Sequence, residues 1–104
     1  MKKFGFKMKL KKGCEAEYKR RHDAIWPELS ELLKASGISD YSIFLDESTS
    51  ILYAVQNVAD DHTTGSLPED PIMQKWWAYM SDIMKTNPDN SPVAIPLKQV
   101  FYLE

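Results

Sequence analysis

From Lys2 to Lys12 the chain reads KKFGFKMKLKK, with lysine alternating against Phe4, Phe6, Met8 and Leu10. That period of two predicts a strand with one apolar face and one basic face. Lys11, Lys12 and Gly13 make a turn, and a helical pattern begins at Cys14 or Glu15. Pro27 has no amide hydrogen to give a helical ladder, so the helix either kinks there or restarts with Pro27 in its first turn. The continuation PELSELLKASG carries Glu28 and Glu31 early, Lys34 late and Gly37 at the C-terminal cap, and its Leu29, Leu32 and Leu33 join Ile25 before the proline in an apolar face.

Two β-rich runs, YSIFLD at 41–46 and SILYAVQNV at 50–58, are joined by Glu47, Ser48 and Thr49 and predict a hairpin. The polar stretch 59–71, with one glycine and two prolines, predicts a loop. A second helix is expected over 72–84, turns over NPDNSP at 87–92, and a last strand in LKQVFYL. The order is β-α-β-β-α-β, an α+β ferredoxin-like domain spanning residues 1–104 as one unit. ILYAV and VFYL are apolar at consecutive positions, so both faces of those strands need cover, whereas two helices can cover only one. A second copy of the chain is the expected cover, giving a sheet-on-sheet homodimer.

Composition narrows the function. With a net charge of −2, the chain has no long-range pull on nucleic acid or membranes, and the lysine face of the first strand carries no aromatic platform for bases. One cysteine, Cys14, cannot form an internal disulfide, which fits a reducing compartment. No apolar run nears the ~20 residues of a membrane span, and the N-terminus lacks a signal-peptide core. A cytoplasmic protein without membrane or nucleic-acid partners is expected.

Three features bear on chemistry. Tyr18, His22 and Trp26 recur every four residues and share a helix face. Lys19, Arg20, Arg21 and Asp23 are read as the solvent side, which turns His22 the way Tyr18 points. Both side chains give and accept protons, although a histidine at a core edge, bonded to a backbone carbonyl, gives the same pattern. Trp76 and Trp77 are about 100° apart on a helix, so one is core while the other lines a groove or an interface. His62, in DDHTTG, has no second histidine at ligand spacing and is read as a solvated loop residue rather than a metal ligand. No phosphate loop, dinucleotide fingerprint, nucleophile elbow or metal cluster is present. The residues alone point to a small-ligand pocket with a His/Tyr pair and an indole wall, suited to cofactor-free isomerisation, epimerisation or cyclisation.

YKRRHDAIWPEL, YSIFLD, WWAYMSDIM, NPDNSP and the terminal VFYL, in that order, resemble the L-rhamnose mutarotases over nearly the whole chain. The resemblance implies a dimeric α/β barrel of ferredoxin-like subunits that interconverts the α and β anomers of L-rhamnose without a cofactor or metal. It implies His22 as the proton donor; for ring opening, His22 is expected to protonate the ring oxygen while Tyr18, another polar group or a water handles the anomeric proton. It implies Tyr18, Tyr41, Trp76 and Trp77 as sugar contacts. The stretch 59–71 departs from the family in its glycine and prolines, so the second helix is expected to start later here. Cofactor-free oxygenases and haem-degrading enzymes share the dimeric barrel and form the competing reading; a non-catalytic sugar-binding module is the third. With Pro27 breaking the register, Trp26 is expected to pack where the two helical segments meet.

Overall fold

The computed structural model describes all 104 residues, Met1–Glu104. Strand β1 (Lys2–Lys9) leads through a turn into α1 (Glu15–Asp23) and α2 (Pro27–Ala35). Then come β2 (Ile38–Asp46), β3 (Ile51–Val58), a 3-10 helix (Thr64–Glu69), α3 (Pro71–Met80) and β4 (Ile95–Leu97). The sheet is antiparallel throughout with strand order β2-β3-β1-β4, the ferredoxin-like arrangement.

Local chemistry accounts for the boundaries. Helix α1 carries Glu15 and Glu17 in its first turn and Arg20 and Arg21 in its last, matching the helix dipole at both ends. Pro27 starts a new helix at its first position, and the residue before it, Trp26, is extended as a residue preceding proline prefers. Gly37 follows α2 at a φ of +103°, a conformation that side chains oppose. Asp70 caps α3 through a 2.8 Å bond accepted from the Ile72 amide.

Pairing of Met8 with Leu52 and of Phe6 with Ala54 puts these residues on one sheet face, where the helices pack. The core gathers Met8, Leu10, Leu29, Leu52, Ala54, Met73, Met80 and Met84 between the two layers. Lys3, Lys7 and Lys9 alternate onto the other face, as the pattern predicts. That face also carries Phe44, Tyr53, Ile95 and Leu97, all exposed, and no helix covers it.

Between Ser39 and Ser42 the β2–β3 register slips by one residue, and Asp40 has a φ of +48°. This bulge lets Ile38 and Tyr41, three residues apart, face the same helix-covered side.

Four expectations are corrected. Strand β2 starts at Ile38, three residues ahead of the tyrosine. The stretch 59–71 contains a 3-10 helix, and α3 begins at Pro71 rather than later. Helix α3 ends at Met80; Ile83 and Met84 stay in the core through a turn, with Met84 bridged to Leu10. The last strand is only Ile95–Leu97. Its register, Leu97 opposite Gly5, would put Val100 opposite Lys2, the first residue of β1. Phe101, Tyr102 and Leu103 therefore lie past the end of their only neighbouring strand. They remain exposed, Phe101 at 77%.

A Cβ on Gly37 would meet His62 Cβ at 3.0 Å and His62 Cα at 3.1 Å. Gly37→Ala therefore adds a steric clash to an unfavourable φ, and urea unfolding should show a loss of about 1–3 kcal/mol.

Candidate active site

Helix α1 supplies two rings one turn apart. The Tyr18 and His22 rings stack with centroids 4.2 Å apart and planes 26° from parallel. His22 Nδ1 lies 3.1 Å from the Tyr18 carbonyl oxygen. A carbonyl only accepts, so this bond assigns the hydrogen to Nδ1 and leaves Nε2 as the lone-pair nitrogen of the neutral ring. Burial pushes the His22 pKa below its usual 6.5, against smaller opposing effects of the carbonyl and of Asp23. The imidazole is neutral at pH 7.

Helix α3 contributes the facing wall. The Trp76 ring meets His22 edge-on at 5.4 Å and 85°. Trp76 is buried in the core cluster, and Trp77 is half-buried against it, the division expected for adjacent tryptophans. Both line a cavity of about 1370 Å³ between the helices and the sheet, together with Tyr18, His22 and Tyr41. All five residues expected at the site thus border one space. It exceeds the roughly 300–1,000 Å³ of a small-ligand pocket and is partly open to solvent.

The two phenols are held protonated. Burial raises Tyr18 well above its ordinary 10, and nearby Tyr41 adds to the effect. Crowding by protein raises Tyr41 to about 12, although 38% of that residue is still reached by solvent. Both are therefore hydrogen-bond donors at neutral pH and reluctant acids. Every fully buried polar side-chain atom in the chain has a partner. Tyr18 Oη, His22 Nε2 and the Trp76 indole N–H have none within the chain, so they reach open space.

Trp26 does not line this cavity. Its ring stacks on Tyr79 at 5.6 Å and meets Trp76 edge-on at 5.1 Å, holding the corner between α1 and α2 against α3. His62 lies exposed, its Nδ1 3.3 Å from the Thr64 amide.

Arg21 departs from expectation. It is buried rather than solvated. Its guanidinium donates to Glu17 at 2.7 Å, to the Tyr79 carbonyl at 2.6 Å and to both Asp82 oxygens at 2.9 and 3.2 Å. It also lies 4.4 Å from the centre of the Tyr79 ring. One arginine thus ties the helix bearing His22 to the end of the helix bearing Trp76. The carboxyl of Glu17 is held down to about 2, first by the hydrogen bond from Arg20 and then by that from Arg21. Sequence reasoning missed Arg21 because Asp82 is 61 positions away. Its only local signal is Glu17 four residues before it.

These features define a ferredoxin-like α+β protein with a stacked Tyr–His pair set against an aromatic wall in one cavity. The sequence model of the L-rhamnose mutarotase family matches residues 3–103, and the chain belongs to that family. It is 59% identical over 103 residues to an L-rhamnose mutarotase of Sinorhizobium fredii, with 99% of each chain covered. It is 58% identical over 104 residues to one of Rhizobium meliloti, covering 100% of both. The crystal structure of an L-rhamnose mutarotase from Formosa agariphila superimposes with a TM-score of 0.93 at 54% identity, over 100% of both chains.

If Arg21 sets the spacing of α1 and α3, Arg21→Ala lowers the urea midpoint, and Arg21→Lys recovers less than half of the loss. A lysine keeps the charge but not the planar fork. Equal midpoints for the lysine variant and the unaltered protein would show that charge alone suffices.

Proposed function

We propose that this protein interconverts the α and β anomers of L-rhamnopyranose by opening and reclosing the ring. The observation that carries the reading is a neutral His22 whose Nδ1 is committed to the Tyr18 carbonyl and whose Nε2 reaches the cavity. Membership of the L-rhamnose mutarotase family supplies the sugar. It also favours isomerisation over an oxygenase or a non-catalytic module of the same fold.

In this mechanism Nε2 takes the proton from the anomeric hydroxyl. As the O–H bond breaks, C1=O1 forms and the C1–O5 bond of the ring breaks. The imidazolium passes the same proton to O5, so His22 is the donor to the ring oxygen after first serving as acceptor. O1 and O5 share one carbon, which places both within reach of one nitrogen. Rotation about C1–C2 and reclosure in the reverse sense give the other anomer, with no net proton or electron gained. Tyr18 and Tyr41, held protonated, donate hydrogen bonds to the oxygens on which charge develops. Trp76 and Trp77 offer flat apolar faces to the ring.

We further propose a homodimer in the cytoplasm. A folded monomer of 12.0 kDa should expose about 6,000 Å², whereas this chain exposes 7050 Å². The surplus resembles the roughly 800 Å² that each partner buries in a standard interface. The apolar sheet face and the overhanging tail are where it lies. The location in a reducing compartment rests on the free Cys14. No helix is long and apolar enough to cross a membrane.

Saturation-transfer NMR on L-rhamnose should show that His22→Ala slows anomer exchange about 10²–10⁴-fold; unchanged exchange would remove His22 from the mechanism. Because the working form is neutral and its pKa is depressed, the rate should be flat above pH 6.5 and fall at lower pH. The same depression means that the folded chain binds fewer protons at His22 than the unfolded one. The stability it contributes is full above about 6.5 and is lost as pH falls toward the folded value. Light scattering at micromolar concentration should give twice the chain mass, and deletion of 99–104 should weaken the association; a monomeric full chain would end the dimer proposal.

A further inference from the structure

Strand β3 faces the helices with Leu52, Ala54 and Gln56, and at the third of these positions the apolar alternation gives way to an amide. Gln56 is only 8% exposed. Its side-chain amide bonds to no group of the chain, and since no fully buried side-chain polar atom lacks a partner, the amide reaches open space. That space is the site. Gln56 lines the main cavity with His22 and Tyr41. It also borders a neighbouring cavity of about 400 Å³ reached by Asp60, His62 and Thr64.

The backbone frames it closely. Gln56 is paired with Phe4 on one side and stands opposite the Asp40–Tyr41 bulge on the other. Burying an amide among apolar neighbours costs stability unless something pairs with it. Its one acceptor and two donors suit two adjacent hydroxyl groups, giving to one oxygen while accepting from the next.

The geometry points to Gln56 as the residue that reads the sugar's hydroxyls remote from the anomeric carbon, those at C3 and C4. The inference rests on the mutarotase reading above. His22 works from the helix layer and must reach O1 and O5, while Gln56 lies in the sheet on the opposite wall. A pyranose held between them turns its far edge to the amide. Gln56 then governs which sugars enter and how tightly, without touching the reacting atoms. A site built to hydrogen-bond a hydroxyl rejects an analogue lacking it far more strongly than an apolar wall does.

The test compares the full-length protein with Gln56→Met, which keeps side-chain length and removes both polar atoms. Gln56→Leu serves as a second variant should methionine impair folding. Saturation transfer at several concentrations of L-rhamnose separates KM from kcat. The expected result is a KM raised about 10-fold or more with kcat within about 2-fold, and a Tm equal to or above that of the unaltered protein. Analogues lacking the 3- or the 4-hydroxyl should be handled worse than L-rhamnose by the unaltered protein, and no worse by the variant. An unchanged KM, retained discrimination, or a fall in Tm with KM intact would overturn the role of Gln56 while leaving the mutarotase reading in place. An unaltered protein without effect on L-rhamnose exchange would sink both together.

Discussion

Helices and strands in this chain meet on a single face of one antiparallel sheet, and that one-sidedness governs the rest. The side chains between the layers have to make a core and leave a ligand cavity in the same gap. Methionines at 8, 73, 80 and 84 serve this well, because an unbranched thioether fills irregular space without demanding a fixed shape. The polar atoms of the site sit around the margin of that gap, where Tyr18 and His22 from above and Gln56 from below retain open faces. The far face of the sheet is left with aromatic and aliphatic groups that nothing in the chain covers.

Within that gap, electrostatic roles follow from burial. Removing His22 from water disfavours its charged form, and removing the two tyrosines disfavours theirs. The same physical effect keeps the imidazole neutral and the phenols protonated. A reaction that returns every proton it borrows suits such a set, since no group has to remain ionised at the end. The arginine tying α1 to α3 adds a mechanical condition: His22 and Trp76 sit on different helices, so their 5.4 Å spacing holds only as firmly as those helices hold each other.

Much of this was legible in the chain, wherever a signal was local. Pro27 announced the break between α1 and α2, Gly37 the end of α2, and the lysine alternation the two faces of β1. The four-residue spacing of Tyr18 and His22 put both rings on one side, the adjacent tryptophans marked a wall, and the motif resemblance added Tyr41. What escaped depended on distant partners. Arg21 sits among charged neighbours and reads as solvated until Asp82 and Tyr79 are brought beside it. The bulge at Asp40 leaves no compositional mark. The tail VFYL has every local property of a strand, and only the register with β1 reveals that its neighbour has run out.

The stretch 59–66 lies against the end of α2 through backbone contacts. The Ala59 amide donates to the Gly37 carbonyl and the Thr63 amide to that of Ser36, while Gly37 lets the His62 backbone approach closely. Main-chain anchors are indifferent to side-chain identity. Asp60 and His62 also bond through their side chains, to the N-terminal ammonium and to Thr64, but neither bond reaches α2. Exchanges at 60, 62 and 64 therefore repaint the wall next to Gln56 while the two backbone anchors remain. A family with one chemistry could vary its choice of sugar here while the backbone anchors to α2 stay in place.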